Sequence, residues 1–325
     1  VTGATARCLA ESLNVALTEL MDSDESVVLV GQDIGRLGGV FRVTKGLQER
    51  FGAARVRDAI LAESSIVGQA IGMSMSGLKP VCEIQFEGFI YPAMNQIVTQ
   101  AARMTKRWDD DLALNLVIRV PVGGGIRAVE HHSESNEAYF AHTPGLLVAY
   151  PSSPSDAAAM LKHACSAESP VIFFEPKRLY WKRNRRPREP GPASPLGAAV
   201  ARRGSDITVV GYGAVLEDVL AAADRLAPTI DVEVVDLRWI APMDTETVLQ
   251  SVARTRRLLV VHEAVGFGGV GAEIIAAVAE SGIRDLRSPM RRLAAPKRLY
   301  PPADYEKHYL VGVSDVIDTI QEMCG

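Results

Sequence analysis

Residues 60–86 read ILAESSIVGQAIGMSMSGLKPVCEIQF, and a change of rhythm inside them decides the fold. SSIVGQAIGMSMSG has the pattern of a helix that ends at Gly77, and LKPVCEIQF has the pattern of a strand. Upstream, SVVLVGQDIG (26–35) is a short apolar run ending in Gly31, as in a parallel strand buried on both faces. Before it, ATARCLAESLNVALTELMDSD (4–24) places Leu9, Leu13, Ala16, Leu17 and Leu20 at helical spacing. Downstream come a helix in YPAMNQIVTQAARM (91–104), with Pro92 near its first turn, and a strand in LNLVIRVP (114–121). The Gly-rich loop VGGGIRAVEHHSES (122–135) follows, then GLLVAYP, the helix SPSDAAAMLKHACSA and the strand SPVIFFEP. Strand alternating with helix implies an α/β fold with a largely parallel sheet.

The composition changes at KRLYWKRNRRPREPGPASP (177–195), which is basic, proline-rich and nearly free of aliphatic residues. It reads as an exposed interdomain linker. A second α/β unit follows, with strands in DITVVGYG, DVEVVDLRWI and RRLLVVHEA and helices between and after them. The expectation is therefore two three-layer α/β domains, residues 1–181 and 197–325, joined by a basic linker at 182–196.

Of 325 residues, 47% are hydrophobic and 23% charged, and the net charge is −4. Nucleic-acid or membrane-surface binding would leave a basic excess, so neither is expected. The four cysteines are far apart, with no CxxC, and read as free thiols of a reducing, cytoplasmic setting. The first thirty residues, a helix and then a strand with interspersed acids, do not resemble a signal peptide. No apolar run reaches the ~20 residues that span a bilayer.

One carboxylate, Glu63, stands in an otherwise apolar stretch. It could be an ordinary acid on the first turn of a helix, satisfied by free backbone N–H groups. Alternatively, Ser64, Gly68, Gly72 and Ser76, every fourth residue, form a stripe that lets another backbone approach closely and would enclose Glu63 in a dry cleft. There a carboxyl can exchange a strong hydrogen bond with a ring nitrogen. His131 and His132, adjacent after a GGG loop, are candidates for acid–base work, since loops at strand ends carry sites in open α/β sheets. A metal is not expected, because adjacent ligands do not converge easily and no further Cys or His spacing supports a site. GFGGVG (266–271) matches the dinucleotide pattern G-x-G-x-x-G. HEAV separates it from the apolar strand, however, which favours a glycine-rich packing loop over an NAD site. WDDD (108–111) reads as a solvated acidic loop.

With LVGQDIGRLGGVFRVTKGL, LAESSIVGQAIG, CEIQFEGFIYPAMNQI, PVGGGIRAVEHHSES, AHTPGLLVAYPSSPSDA and VIFFEPKRLY set out in order, the chain resembles the E1 β subunits of thiamine-diphosphate-dependent 2-oxo acid dehydrogenases over almost its whole length. The pattern EIQF…YP is closer to the branched-chain branch than to the pyruvate branch. The resemblance implies that Glu63 meets N1′ of the cofactor's aminopyrimidine. It implies that Leu61, Gln85 and Phe89 line that ring's pocket. His132, directly before Ser133, is implied in proton transfer or charge stabilisation during acyl transfer, with His131 as its neighbour. The family holds the diphosphate and Mg²⁺ with a G-D-G…N motif, which this chain lacks. The resemblance therefore implies an α subunit that supplies the other half of the site in an α2β2 assembly, and weak cofactor binding by this chain alone.

Departures from the family pattern carry expectations of their own. Gly31-Gln32-Asp33 stands for the family's GED, removing a charge from a polar network between sites. Arg107-Trp108-Asp109-Asp110-Asp111 replaces the usual R-S-x-G. The acidic ligand of the family's structural potassium site is not evident at CSAES (165–169), so potassium is not expected. Arg287 and Lys297 stand at or near positions where family acids grip a basic E2 domain. Reversed charge there would oppose docking. Two acceptors follow for the acyl unit: a lipoyl-E2, or a small or sugar acceptor taken by an E2-independent carboligase.

Overall fold

The computed structural model describes residues 7–107, 112–183 and 196–325; WDDD and most of the expected linker lie outside them. The strands are β1 (Val27–Gly31), β2 (Val56–Asp58), β3 (Lys79–Glu83), β4 (Val117–Val122), β5 (Leu147–Ala149), β6 (Val171–Pro176), β7 (Ala199–Arg202), β8 (Ile207–Gly211), β9 (Val232–Asp236), β10 (Trp239–Ala241), β11 (Leu258–Val265) and β12 (Arg291–Ala295). They form a seven-stranded sheet, β10-β5-β6-β4-β3-β1-β2, and a five-stranded sheet, β12-β11-β8-β9-β7. Every pairing is parallel except β10 with β5 and β7 with β9. β1, β4 and β6 are buried along their whole length, as parallel strands covered on both faces must be.

Helix Leu9–Ser23 begins at a capping box in which the Cys8 N–H donates to Glu11 Oε2 at 3.1 Å. It packs on helix Pro154–Ser166, whose start is fixed by Ser153 accepting from the Asp156 N–H and by Pro154. Leu13, Leu17, Met21 and Met160 fill that side of the first sheet. Ile66, Ile97 and Ile118 fill the other, in a core that continues into the second sheet through Val210, Val235 and Val260.

Three details differ from the sequence reading. DVEVVDLRWI is two strands: Arg238 adopts φ 60°, and β10 turns away from its own sheet to pair with β5 in the other. YPAMNQIVTQAARM is a 3₁₀ turn Glu87–Ala93 containing Pro92, a π-helical segment Asn95–Ala101, and a short helix Ala102–Arg107; Pro92 offers no N–H to extend an α-helix through it. Residues 177–180 are not exposed linker, since Lys177, Leu179 and Tyr180 are buried.

Candidate active site

The loops that follow β3, β4 and β6 leave the carboxyl ends of three neighbouring strands, where ligand crevices form in open α/β sheets. A buried ion triad holds those ends in register. Arg119 on β4 donates to Glu83 on β3 at 2.7 Å and to Glu175 on β6 at 2.6 and 2.8 Å, and the Tyr180 hydroxyl adds a 2.6 Å bond to Glu175.

After β3, Phe86 and Phe89 bracket His132 from the loop after β4. The Phe86 ring stacks on the imidazole at 4.1 Å and 15°, and the Phe89 ring meets it edge-on at 5.0 Å. His132 is partly buried, its Nδ1 is shielded from solvent without a hydrogen-bond partner among the described residues, and burial lowers its pKa. The two loops touch at Gly88: a Cβ there would lie 2.0 Å from the His131 carbonyl oxygen. The second domain reaches the same loop. Glu306 accepts from the Gly125 N–H at 2.9 Å, the Arg127 N–H at 3.3 Å and the Tyr300 hydroxyl at 2.7 Å.

Glu63 is the first residue of helix Glu63–Met75, which packs on β3 and on turn Glu87–Ala93. Its carboxylate is partly exposed and forms no hydrogen bond or ion pair with the described residues. The dry cleft expected around it is not closed within the single chain. Gly68, Gly72 and Ser76 face outward, and Leu61 and Ile60 are 74% and 72% exposed. Gln85 Nε2 lies 3.5 Å from both the Gln32 carbonyl and Asp33 Oδ2. The helix start, Gln85, Phe89 and His132 thus sit on contiguous elements, while Leu61 extends from the open side. An unpaired carboxylate, a primary amide, ring faces and an orphaned imidazole nitrogen are a donor set that suits an aminopyrimidine.

Sequence reasoning missed Phe86, Glu87 and Lys177, which support His132. Lys177 Nζ donates to Glu87 Oε2 at 2.6 Å, with both side chains at most 1% exposed; burial pushes the Glu87 pKa up and the neighbouring ammonium draws it down. Neither charge stands out in its own window: Glu87 lies in the FEGF that follows EIQF, and Lys177 in the stretch read as linker. Also missed was His262, fully buried, with its pKa lowered to about 4 by burial. It accounts for two of the glycines of GFGGVG. A Cβ at Gly269 or Gly271 would lie 3.1 or 2.8 Å from its ring, and one at Gly269 also 2.7 Å from the Val265 carbonyl. β11 runs through HEAV, so the loop follows its strand directly, contrary to the expected gap. These two glycines nevertheless pack on a histidine. Arg287 and Lys297 are exposed, and Lys297 Nζ lies 3.7 Å from the Phe267 ring centroid. Among the described residues no cluster of metal-ligating side chains occurs and no helix is long and apolar enough to cross a membrane. The four cysteines are unpaired.

Two parallel-sheet units, with this crevice at the carboxyl ends of the first, define a transketolase-like protein. Residues 8–182 match the transketolase pyrimidine binding domain and residues 197–316 the transketolase C-terminal domain. A split-gene transketolase, described as an inactive β4 tetramer, shares the fold with TM-score 0.79 at 23% identity, over 98% of both chains. More specifically, the chain belongs to the E1 β subunits of thiamine-diphosphate-dependent 2-oxo acid dehydrogenases. It is 44% identical to the pyruvate dehydrogenase E1 β subunit of Leifsonia xyli, over 96% of this chain and 93% of that one. It is 41% identical to the 3-methyl-2-oxobutanoate dehydrogenase β subunit of Mycobacterium tuberculosis (97% and 91% covered) and to the 2-oxoisovalerate dehydrogenase β subunit of Bacillus subtilis (96% and 97%). The two branches lie at nearly equal identity, so relatedness does not reproduce the branched-chain leaning of EIQF…YP. Membership in this family disfavours both the carboligase and the NAD readings.

Proposed function

We propose that this chain builds the aminopyrimidine half of a thiamine-diphosphate site, that an α subunit completes it, and that Glu63 and His132 are its acid–base groups. One observation carries this reading: the orphaned Nδ1 of His132 lies within the Phe86–Phe89 ring cluster, and Phe89 stands on the turn against which the Glu63 helix packs. Bound thiamine diphosphate supplies the chemistry that lets a 2-oxo acid lose carbon dioxide. The chain's own residues orient the cofactor and handle protons. Glu63 would hold the ring nitrogen N1′ by a charge-assisted hydrogen bond and retain or release the shared proton. Phe89 offers a ring face, Gln85 an amide and Leu61 an apolar wall. A neutral His132 can take or give a proton at the reacting end as the acyl unit passes to its acceptor, for which lipoyl-E2 is proposed.

The open side of Glu63 supports a second polypeptide, because water reaching that carboxylate would compete for its hydrogen bond. We assign Mg²⁺ and the diphosphate to the α subunit, the assembly to α2β2, the setting to the cytoplasm, and the domain limits to 1–181 and 197–325 around the linker at 182–196. The decisive experiment is co-purification with the α subunit and a screen of 2-oxo acids for CO2 release, with and without a lipoyl acceptor. Glu63→Ala in that complex should lower turnover at least ~10²-fold; unchanged turnover would overturn the reading and leave a scaffold subunit.

A further inference from the structure

Lys177 and Glu87 lie beneath the ring cluster and touch no open surface. Lys177 Nζ is 5.5 Å from the centroid of the Phe86 ring, the ring that stacks on His132. Phe86 also meets Phe41 edge-on at 5.5 Å, and Phe41 stacks on Tyr180 at 4.4 Å. The main chain of the pair is also held, since Asn136 Nδ2 approaches the Glu87 carbonyl at 3.4 Å. The imidazole therefore stacks on a ring that lies 5.5 Å from a buried ammonium.

We propose that the Lys177–Glu87 pair is a positioning device for His132: through Phe86 it fixes the imidazole's orientation, and its ammonium disfavours the imidazolium form. The inference rests on the assignment of His132 as the proton-transfer residue. The physical case has two parts. A cation near an aromatic face attracts the ring and restrains it. The same cation, in a region poor in water, raises the energy of a second positive charge nearby. The other charged or titratable groups around His132 are Glu130 and His131 on its own turn, Glu134 just after it, and Glu87 from the turn after β3. Glu130 and His131 are exposed and pair with each other at 3.4 Å, where solvent screens them. Lys177 is fully buried. Glu87 binds Lys177 in place, and its second oxygen, Oε1, has no partner among the described residues. A buried pair of this kind contributes little to stability compared with a neutral pair of the same shape, so its retention here fits a role in the site.

The test uses the assembled αβ enzyme. Acylation of His132 by diethyl pyrocarbonate, followed on the isolated peptide by mass spectrometry as a function of pH, reports the fraction of neutral imidazole directly. Glu87→Gln combined with Lys177→Met removes both charges while keeping shape, and should move the His132 midpoint up by roughly half a pH unit. The acidic limb of the kcat profile should move with it and KM should not change. Lys177→Arg, which keeps the charge, should restore the original midpoint. An unmoved midpoint in a double variant that melts like the parent would overturn the proposal. Should the double variant fail to fold, Phe86→Leu serves instead: it keeps the ion pair, and should lower kcat several-fold at constant KM, whereas parental kcat would overturn the positioning role. His132→Ala with full turnover would instead refute the assignment of His132, leaving the shifted midpoint as a property of the pair alone.

Discussion

At the scale of single residues, the site depends on one missing methyl group. Gly88 has no need of a left-handed backbone; it is required because the His131 carbonyl occupies the space a side chain would take. Gly88→Ala should push the histidine turn off the Phe86 and Phe89 rings. We expect a loss of roughly 1–3 kcal/mol in stability and at least a ten-fold fall in turnover, read by thermal melting and by CO2 release. Parental values of both would mean that the turn relaxes freely. Glu63 and the His131–His132 pair stand out as candidates in the sequence, because an acid in an apolar stretch and paired histidines after GGG are unusual patterns, and the family resemblance alone singles out His132. The sequence does not show Glu87 or Lys177. Each is an ordinary charged residue in its local window, and only the meeting of two strand ends makes them partners.

Among the elements, helix Glu63–Met75 is the most informative. Its Ile66, Val67, Ala70 and Ile71 face the core, while Gly68, Gly72 and Ser76 form an outward stripe. A Cβ at Gly72 meets nothing within 4 Å among the described residues. Gly72→Leu should therefore fold normally, gaining up to about 1 kcal/mol from helix propensity, yet fail to assemble if a partner's backbone packs against the stripe. Light scattering with the α subunit checks this; assembly at parental affinity would place the partner elsewhere. The helix itself was legible from its rhythm, as were the fully apolar strands. The π-helical segment Asn95–Ala101 was not, since over one or two turns its apolar spacing does not distinguish a π-helix from an α-helix. Nor was the break at Arg238, because a non-glycine residue at positive φ leaves no compositional mark.

For the molecule as a whole, the joint between the domains is polar as well as apolar. The Tyr212 hydroxyl donates to Glu137 Oε1 at 2.6 Å across it, and burial pushes the Glu137 pKa from 4.5 up to about 7. In the folded chain this acid keeps its proton up to about pH 7, whereas the unfolded chain releases it near 4.5. The stability tied to that proton is thus complete below pH 4.5, declines as pH rises to about 7, and is constant above. Glu137→Gln keeps the acceptor oxygen and removes the titration. Relative to the parent, it should gain on the order of 2 kcal/mol between pH 5 and 7, read as diverging melting temperatures; parallel curves would show that Glu137 titrates normally. The two-domain α/β plan was legible from alternation and from the basic break after residue 177. The interlocking was not, since β10 crosses to the other sheet and Lys177–Tyr180 is core.

The Tyr300–Glu306 contact to Gly125 and Arg127 also limits how relatives can be recombined. A hybrid grafting a foreign carboxyl-terminal lobe onto this amino-terminal half must carry a carboxylate and a phenol at those two places. Without them the strap leading to His132 loses its anchorage, even where both lobes are individually sound.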